Sequence, residues 1–161
     1  MNITIRKIQN NEIRLLETFL YEAIYVPDGE ETPKCEIIYQ PELQIYIKDF
    51  GKREGDNCLV AEVDGKVVGA VWVRIMNDYG HVDNNTPSLA ISVLKEYRNN
   101  GIGSKLLKAM IKQLKTQGYK QVSLSVQKNN YAVRMYRKAD FEIYDENDEE
   151  YIMTYRMENL L

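Results

Sequence analysis

The chain has 161 residues, of which 44% are hydrophobic and 28% charged; such values are typical of one globular domain and exclude a disordered or fibrous protein. The 21 Lys and Arg residues against 24 Asp and Glu residues give a net charge of -3, which argues against nucleic-acid and anionic-membrane partners. No apolar run could cross a bilayer, and the chain starts like a strand, not a signal peptide. Cys35, Cys58 and the single His81 lack metal-site or disulfide spacing. We therefore expect one domain over residues 1–161, no metal and a reducing, cytoplasmic setting.

The first third of the sequence predicts a strand and two helices. Apolar and polar residues alternate over residues 3–8, and apolar residues then recur at helical spacing over residues 13–24. Residues 26–33 combine turn formers with charges, which predicts an exposed loop. Pro41 suits the first turn of a second helix.

The middle of the sequence predicts antiparallel strands. Asp64 and Gly65 separate two β-rich runs, residues 59–63 and 67–75. Because both residues tolerate the positive φ of a tight turn, this pattern predicts a hairpin. Another apolar run, residues 89–93, follows a polar connection.

The last third predicts a long helix, a strand, a short helix and two closing strands. Apolar residues from Ile102 to Leu114 mark one face of the long helix, and four lysines occupy the other. Residues 122–126 alternate as a strand, and a helix runs from Asn129 or Asn130 to about residue 138. The acidic run at residues 145–150 is interpreted as a solvated hairpin tip, with attraction of a cationic amine as the alternative.

The turn before the long helix predicts an anion site. Gly101 and Gly103 allow close approach to free backbone N–H groups at the helix start, which suit a pyrophosphate. Arg98 and Lys105 add positive charge. By itself, the glycine pair favours a plain tight turn over an anion site. A Rossmann fingerprint is excluded because Leu106 stands where the third glycine belongs, and the P-loop spacing is also absent.

The segment from Leu89 to Phe141 resembles the GNAT superfamily of acetyl-coenzyme A dependent N-acetyltransferases. Family members have an apolar strand, then Arg or Gln, two residues, Gly, one residue, Gly or Ala, and a leucine-rich helix. The corresponding residues are Arg98, Asn99, Asn100, Gly101, Ile102, Gly103 and Ser104.

A second family pattern lies downstream. Its Asn, two residues, Ala, three residues and Tyr, followed by Gly-Phe, is similar to Asn129, Ala132, Tyr136 and Phe141. Asp140 departs from the pattern because it replaces the glycine. Since Asp tolerates unusual backbone angles, we expect this change to affect local geometry more than activity.

The resemblance implies an α/β (α+β) fold of the GNAT type, with a central, mostly antiparallel mixed sheet splayed near Val93 and flanked by helices. It also implies that the strand, the turn and one downstream residue bind acetyl-coenzyme A: Ile91, Ser92, Val93, Arg98, Asn99, Asn100, Gly101, Ile102, Gly103, Ser104 and Asn129. The backbone N–H of Val93 would stabilise the oxyanion of the tetrahedral state.

Further roles follow from the same resemblance. Tyr136 is similar to the family's general acid, which protonates the departing thiolate during direct acetyl transfer to a primary amine of a small molecule or peptide. Asn129 is read equally as a cofactor ligand and as a helix N-cap, with Asn130 as the alternative cap.

The acceptor side is less defined. A base is needed to take a proton from the amine, and Glu62, His81 and Asp83 are candidates by residue type alone. The acceptor pocket is expected to draw on tyrosines of the first helices and last strands: Tyr21, Tyr25, Tyr39, Tyr46, Tyr151 and Tyr155. The alternatives are a non-catalytic coenzyme A sensor or scaffold of the same fold and a protein that binds another phosphate ligand. The oligomeric state, a homodimer included, is left open.

Overall fold

The element order agrees with the predicted one. A computed structural model of the protein describes residues 1–157. Its strands are β1 (Ile3–Lys7), β2 (Asn57–Val63), β3 (Lys66–Arg74), β4 (Ser88–Val93), β5 (Gln121–Gln127), β6 (Glu142–Glu146) and β7 (Glu150–Arg156). Its α-helices are α1 (Leu15–Glu22), α2 (Pro41–Gln44), α3 (Ile102–Thr116) and α4 (Ala132–Lys138), and short 3-10 helices span Asn10–Glu12, Cys35–Tyr39 and Lys95–Tyr97. The helix predicted at Pro41 is only four residues long.

The strands of residues 1–157 form one sheet in the order β1-β2-β3-β4-β5-β7-β6. Neighbouring strands are antiparallel except β4 and β5, which run parallel. This parallel pair is joined only at Ser88 and Ser123, whereas β3 and β4 are paired from Arg74–Ser88 through to Gly69–Val93. Strands β4 and β5 therefore diverge toward Val93, which confirms the predicted splayed, mostly antiparallel α/β sheet.

The β2–β3 hairpin forms as its turn residues predict. Asp64 and Gly65 both have positive φ, at 51° and 82°, which is the backbone conformation that a tight primed turn requires. The hairpin sets the register of β2 and β3, and β3 pairs with β4 on its other side. The position of the splayed edge thus depends on a local turn about 25 residues upstream.

Helices cover the sheet on both faces. Helix α3 packs on one face with its predicted apolar stripe, all of it buried: Ile102, Leu106, Leu107, Met110, Ile111 and Leu114. Helix α1 and the segment around α2 pack on the other face against Val60, Ala70 and Trp72. Each fully buried leucine contributes about 1.5–3 kcal/mol, so the packing of the two helical layers stabilises the sheet. No helix within residues 1–157 is long and apolar enough to span a membrane.

A buried ion pair fastens the α2 segment to the sheet. Arg74 and Asp56 are 0% and 1% exposed, and the guanidinium donates two hydrogen bonds to the carboxylate, at 3.0 and 2.9 Å. The same guanidinium donates to the carbonyl oxygens of Ile45 and Lys48, at 3.1 and 2.8 Å. Burial would raise the pKa of Asp56, but these bonds and backbone N–H donors hold that pKa below its ordinary value.

Candidate active site

The open edge of β4 presents unpaired backbone groups. The N–H of Leu94 donates to the Val68 carbonyl at 2.8 Å, and hydrogen-bonded pairs alternate along an antiparallel ladder. The backbone groups of Ser92 therefore point toward β3, and those of Ile91 and Val93 point away from it. On that second side, β5 has already diverged. The N–H groups of Ile91 and Val93 are thus directed into the gap.

A second contact supports this orientation. The N–H of Ser123 in β5 donates to the Pro87 carbonyl at 3.0 Å. Pro87 is an even number of residues away from Ile91 and Val93, so the backbone groups of all three point to the same side of the strand. That side is the one that faces β5. The gap therefore begins where this pairing stops and widens toward Val93.

Ser92 has its polar groups engaged outside the gap. Its backbone faces β3, and its hydroxyl donates to the Phe19 carbonyl at 2.6 Å. The residue is buried, with 8% of its surface exposed. The structure thus uses Ser92 to attach α1 to β4, and of the three strand residues predicted to hold the cofactor it brings Ile91 and Val93 to the gap.

The glycine turn leaves the start of α3 uncapped. Asn99 and Gly101 have positive φ, at 65° and 77°. No side chain within residues 1–157 caps the helix, and no acidic residue lies in its first turn. The N–H groups of Ile102, Gly103 and Ser104 are consequently free to bind an anion, and the helix dipole favours one.

The two glycines of the turn have different roles. A Cβ at Gly101 would meet open space, so its positive φ is what requires glycine. A Cβ at Gly103 would lie 3.1 Å from the Met135 sulfur. Gly103 therefore brings α3 close to α4, which carries Tyr136.

Arg98 and Asn100 make contacts within the protein. Arg98 donates through Nε to the Val93 carbonyl at 2.9 Å and through a terminal nitrogen to Glu22. The amide of Asn100 donates to the Tyr97 and Arg98 carbonyls, both at 3.1 Å. These side chains hold the turn in shape, and its backbone N–H groups face outward.

Tyr136 lies on α4 with its side chain almost enclosed. It is 7% exposed, and its ring packs against Phe141 with a centroid distance of 5.8 Å. Burial raises the pKa of the hydroxyl above its ordinary value. Among the hydrogen bonds of residues 1–157, none uses this hydroxyl, which leaves its proton available for a ligand.

The structure separates the roles of Asn129 and Asn130. The Asn130 carboxamide oxygen accepts from the Ala132 N–H at 2.9 Å and so caps α4. The side chain of Asn129 has no partner within residues 1–157, and its backbone carbonyl accepts from the Tyr25 hydroxyl at 3.3 Å. The alternative cap is therefore the one used, and the Asn129 carboxamide remains free at the end of β5.

Asp140 adopts the backbone geometry of the glycine that it replaces. Its φ is 71°. The Phe141 N–H donates to the Tyr136 carbonyl and the Asp140 N–H donates to the Arg137 carbonyl, both at 3.0 Å. This pair of bonds is a Schellman motif, with the left-handed residue at its usual place. The end of α4, and with it Tyr136, keeps a regular geometry.

Comparisons with known proteins agree with this arrangement. The sequence profile of the Acetyltransferase (GNAT) family matches residues 21–141. The chain belongs to the GNAT acetyltransferase family. An acetyltransferase of Pectobacterium atrosepticum is 30% identical over 83% of this chain and 89% of its own length. The GNAT fold also matches the PaiA N-acetyltransferase from Thermoplasma acidophilum in complex with coenzyme A, with TM-score 0.70, 22% identity and coverage of 97% and 99% of the two chains.

A further GNAT relative is named for the amine that it modifies. An N-alpha-acetyltransferase of Sulfurisphaera tokodaii is 37% identical over 51% of this chain and 54% of its own length. The chain therefore spans about half the length of this relative.

None of the three predicted base candidates lies on β4 or β5, the strands that border the gap. Glu62 pairs with Arg6 at 2.9 Å on β2. His81 and Asp83 lie in the connection that enters β4 at its paired end, where His81 Nδ1 is 2.9 Å from the Met76 carbonyl. Hydrogen bonds from Thr86 and the Asn85 N–H hold the pKa of Asp83 below its ordinary value.

The acidic run is exposed except at its last residue. Residues 145–149 are exposed, as expected for a hairpin tip, whereas Glu150 is half-buried at the start of β7. Burial and the neighbouring Glu149 raise the pKa of Glu150, and Gln127 on β5 donates to it at 3.4 Å. A run of like charges gave no signal for this burial, because it depends on the pairing of β5 with β7.

The predicted acceptor tyrosines divide between the two faces of the sheet. Tyr46 lies on the α1 face and donates to Asp78 at 2.9 Å. Tyr21 donates to the Pro33 carbonyl, and Tyr39 to Glu17 at 2.7 Å. Tyr151 and Tyr155 pack instead against the core beneath α3. The last two belong to the packing of the opposite layer.

Proposed function

We propose that this protein transfers the acetyl group of acetyl-coenzyme A directly to a primary amine of a peptide or small molecule, with the α-amino group of a peptide as the preferred acceptor. The observation that carries the proposal is the gap between β4 and β5. Backbone N–H groups of Ile91 and Val93 are directed into it, and the uncapped start of α3 follows nine residues after β4 ends.

The residues present fit acetyl-coenzyme A. Its pyrophosphate would bind the N–H groups of Ile102, Gly103 and Ser104, because these donors are uncapped and the dipole of α3 favours an anion. Its pantetheine amides can pair with the free edge of β4 as a neighbouring strand would. The carboxamide of Asn129 offers one further donor and acceptor at the end of β5.

Two groups of the chain then support transfer. The Val93 N–H is the donor for the acetyl carbonyl oxygen, on which negative charge develops. The acceptor ammonium first loses a proton to water, and the neutral amine nitrogen then bonds to the carbonyl carbon. As the carbon–sulfur bond breaks, the nitrogen releases its second proton to solvent, from which the Tyr136 phenolate is reprotonated. Tyr136 supplies the proton that the departing sulfur takes, since its buried hydroxyl stays protonated at neutral pH. Holding both reactants in one cleft lowers the entropic barrier.

The acceptor is proposed from the comparisons and from charge. The Sulfurisphaera relative is named an N-alpha-acetyltransferase, which favours an α-amino group. Acceptor entry from the α1 face would bring a cationic N-terminus toward Glu150, which lies beside Gln127 at the end of β5 and whose charge influences Tyr46 on that face. Attraction to this carboxylate would favour a peptide with its ammonium group free.

A matched pair of peptides tests this function. One peptide has a free N-terminus and one internal lysine, and the other is the same peptide with a formylated N-terminus. We expect release of free coenzyme A thiol, and gain of one acetyl group by mass spectrometry, with the first peptide only. Acetylation of both peptides would contradict the α-amine assignment. Binding of acetyl-coenzyme A without transfer to any peptide or small amine would contradict catalysis and support a sensor or scaffold.

A further inference from the structure

Arg98 makes its contacts on the strand side of the turn. Its Nε donates to the Val93 carbonyl at 2.9 Å, and one terminal nitrogen is 3.3 Å from the Glu22 carbonyl and 3.4 Å from a Glu22 carboxylate oxygen. The resemblance to family sequences suggested a contact with the cofactor. In the structure, the guanidinium joins β4 to the last residue of α1.

The contact with Val93 lies at the edge of the gap. In an extended strand, the N–H and C=O of one residue point to the same side. The Val93 carbonyl therefore faces the gap together with the N–H proposed to bind the acetyl oxygen. The carbonyl and the N–H belong to successive peptide units that meet at the Val93 Cα, so a donor that holds the carbonyl restricts the backbone rotation at Val93 that would turn the N–H out of the gap. Without the bond from Arg98, Val93 would have no hydrogen-bonded contact on this side, because the pairing of β4 with β5 within residues 1–157 is confined to Ser88 and Ser123.

The contact with Glu22 disfavours a phosphate at the same guanidinium. Glu22 is mostly buried, with its side chain 19% exposed, and its carboxylate lies beside Arg98. A phosphate brought to Arg98 would meet this negative charge and compete with it. The uncapped N–H groups of α3 offer an anion site without such competition.

A second contact anchors the same helix to the same strand. The Ser92 hydroxyl donates to the Phe19 carbonyl, one turn of α1 before Glu22. Arg98 and Ser92 thus fix α1 to consecutive residues of β4. The helix on the acceptor side is connected through Arg98 to Val93, which carries the oxyanion donor, and through a second hydrogen bond to the preceding residue, Ser92.

We propose that Arg98 is a positioning residue that holds the Val93 N–H in the direction of the acetyl carbonyl and does not bind the phosphates of the cofactor. The proposal rests on the proposed use of acetyl-coenzyme A. Under this proposal, Arg98 affects the binding of the acetyl group, which acetyl-coenzyme A carries and coenzyme A lacks. It has no specific effect on the binding of the parts that these two ligands share.

Calorimetric titration with acetyl-coenzyme A and with coenzyme A tests this assignment without an acceptor. The variants are Arg98→Gln and Arg98→Lys, with Lys105→Gln as the matched control because it removes a charge from the first turn of α3. We expect both Arg98 variants to weaken acetyl-coenzyme A binding about three- to tenfold more than coenzyme A binding, the loss of one hydrogen bond. Lys105→Gln should change the two affinities by the same factor.

The outcomes are distinguishable. Equal loss for the two ligands in Arg98→Gln, with recovery in Arg98→Lys, would show a phosphate contact and overturn the proposal alone. Failure of the wild-type protein to bind acetyl-coenzyme A would overturn the proposed function. Glu22→Gln provides a second variant should Arg98→Gln unfold, and it is expected to reduce the preference for acetyl-coenzyme A by a smaller factor.

Discussion

The hydroxyl of Tyr136 combines burial with the absence of a protein partner among the hydrogen bonds of residues 1–157. Burial raises its pKa, so the group remains a donor throughout the pH range in which a thiolate must be protonated. A partner within the protein would hold the proton and oppose its transfer. The proposed role of Tyr136 as the acid depends on this free proton.

Replacement of Tyr136 by Phe removes the hydroxyl and keeps the ring that packs on Phe141. We expect kcat to fall about a hundredfold or more, while the affinity for acetyl-coenzyme A stays within about twofold. Stopped-time assays of thiol release and calorimetry measure the two quantities. Because its raised pKa keeps the phenol protonated in alkali, deprotonation of Tyr136 should not lower wild-type activity at any pH up to about 9. Normal turnover by the Phe variant would reject the acid assignment.

The adjacent asparagines offer a matched pair of substitutions. Asn130→Ala removes the oxygen that accepts from the Ala132 N–H and should lower the free energy of unfolding by about 1 kcal/mol. Asn129→Ala removes a side chain without a protein partner and should leave that free energy nearly unchanged. It should instead weaken acetyl-coenzyme A about threefold to tenfold. Chemical denaturation measures the stability and calorimetry measures the affinity. Loss of stability in Asn129→Ala and loss of affinity in Asn130→Ala would show that Asn129 is the cap and Asn130 the cofactor ligand.

At the scale of elements, the ends of α3 and α4 set the site. The start of α3 is shaped by left-handed residues at Asn99 and Gly101, and the end of α4 by Asp140. These turns fix where the free N–H groups and the Tyr136 side chain lie relative to β4. Each is a short segment whose conformation depends mainly on its own residues.

Asp140→Gly tests whether the departure from the family pattern matters. Asp140 already has φ of 71°, which glycine adopts with less strain. We expect the free energy of unfolding to rise by about 0.5–1 kcal/mol and kcat to remain unchanged. Asp140→Ala is the control and should lower stability, since alanine tolerates this φ poorly. A large gain in activity with glycine would show that Asp140 distorts the catalytic helix.

Local patterns in the sequence predicted these elements well. The apolar stripe of α3 and the Asp-Gly hairpin depend on spacing within a few turns, and both are found as predicted. The splay near Val93 followed from the family resemblance. The contacts of Arg98 with Glu22 could not be predicted, because the two residues are separated by 76 positions and meet only once α1 packs on β4. The half-burial of Glu150 likewise depends on tertiary pairing.

At the scale of the whole molecule, the α1 face is held by the buried Arg74–Asp56 pair. Each residue neutralises the charge of the other, and removal of one leaves an uncompensated charge in the core. The pair anchors the backbone after α2 at Ile45 and Lys48. Tyr46, which lies between those two residues, is positioned by the same contacts, so this pair connects overall stability to the acceptor side.

Asp56→Asn should lower the free energy of unfolding by about 3–5 kcal/mol. The exposed pair Lys128–Glu146 provides the control, and Glu146→Gln should cause no measurable change.

Because the pKa of Asp56 is depressed in the folded state, its contribution to stability is fully present above the ordinary carboxyl pKa and is lost as the pH falls below it. The difference between wild type and Asp56→Asn should therefore shrink as the pH falls below about 5 in denaturation experiments. A difference independent of pH would contradict this account.

The most direct measurement is a crystal structure of the protein with acetyl-coenzyme A. We expect the acetyl oxygen within hydrogen-bonding distance of the Val93 N–H, the pyrophosphate at the N–H groups of Ile102 to Ser104, and the sulfur next to the Tyr136 hydroxyl. A cofactor bound elsewhere, such as in the cleft lined by Lys115, Asp140 and Arg156, with the gap between β4 and β5 closed, would contradict the central claim.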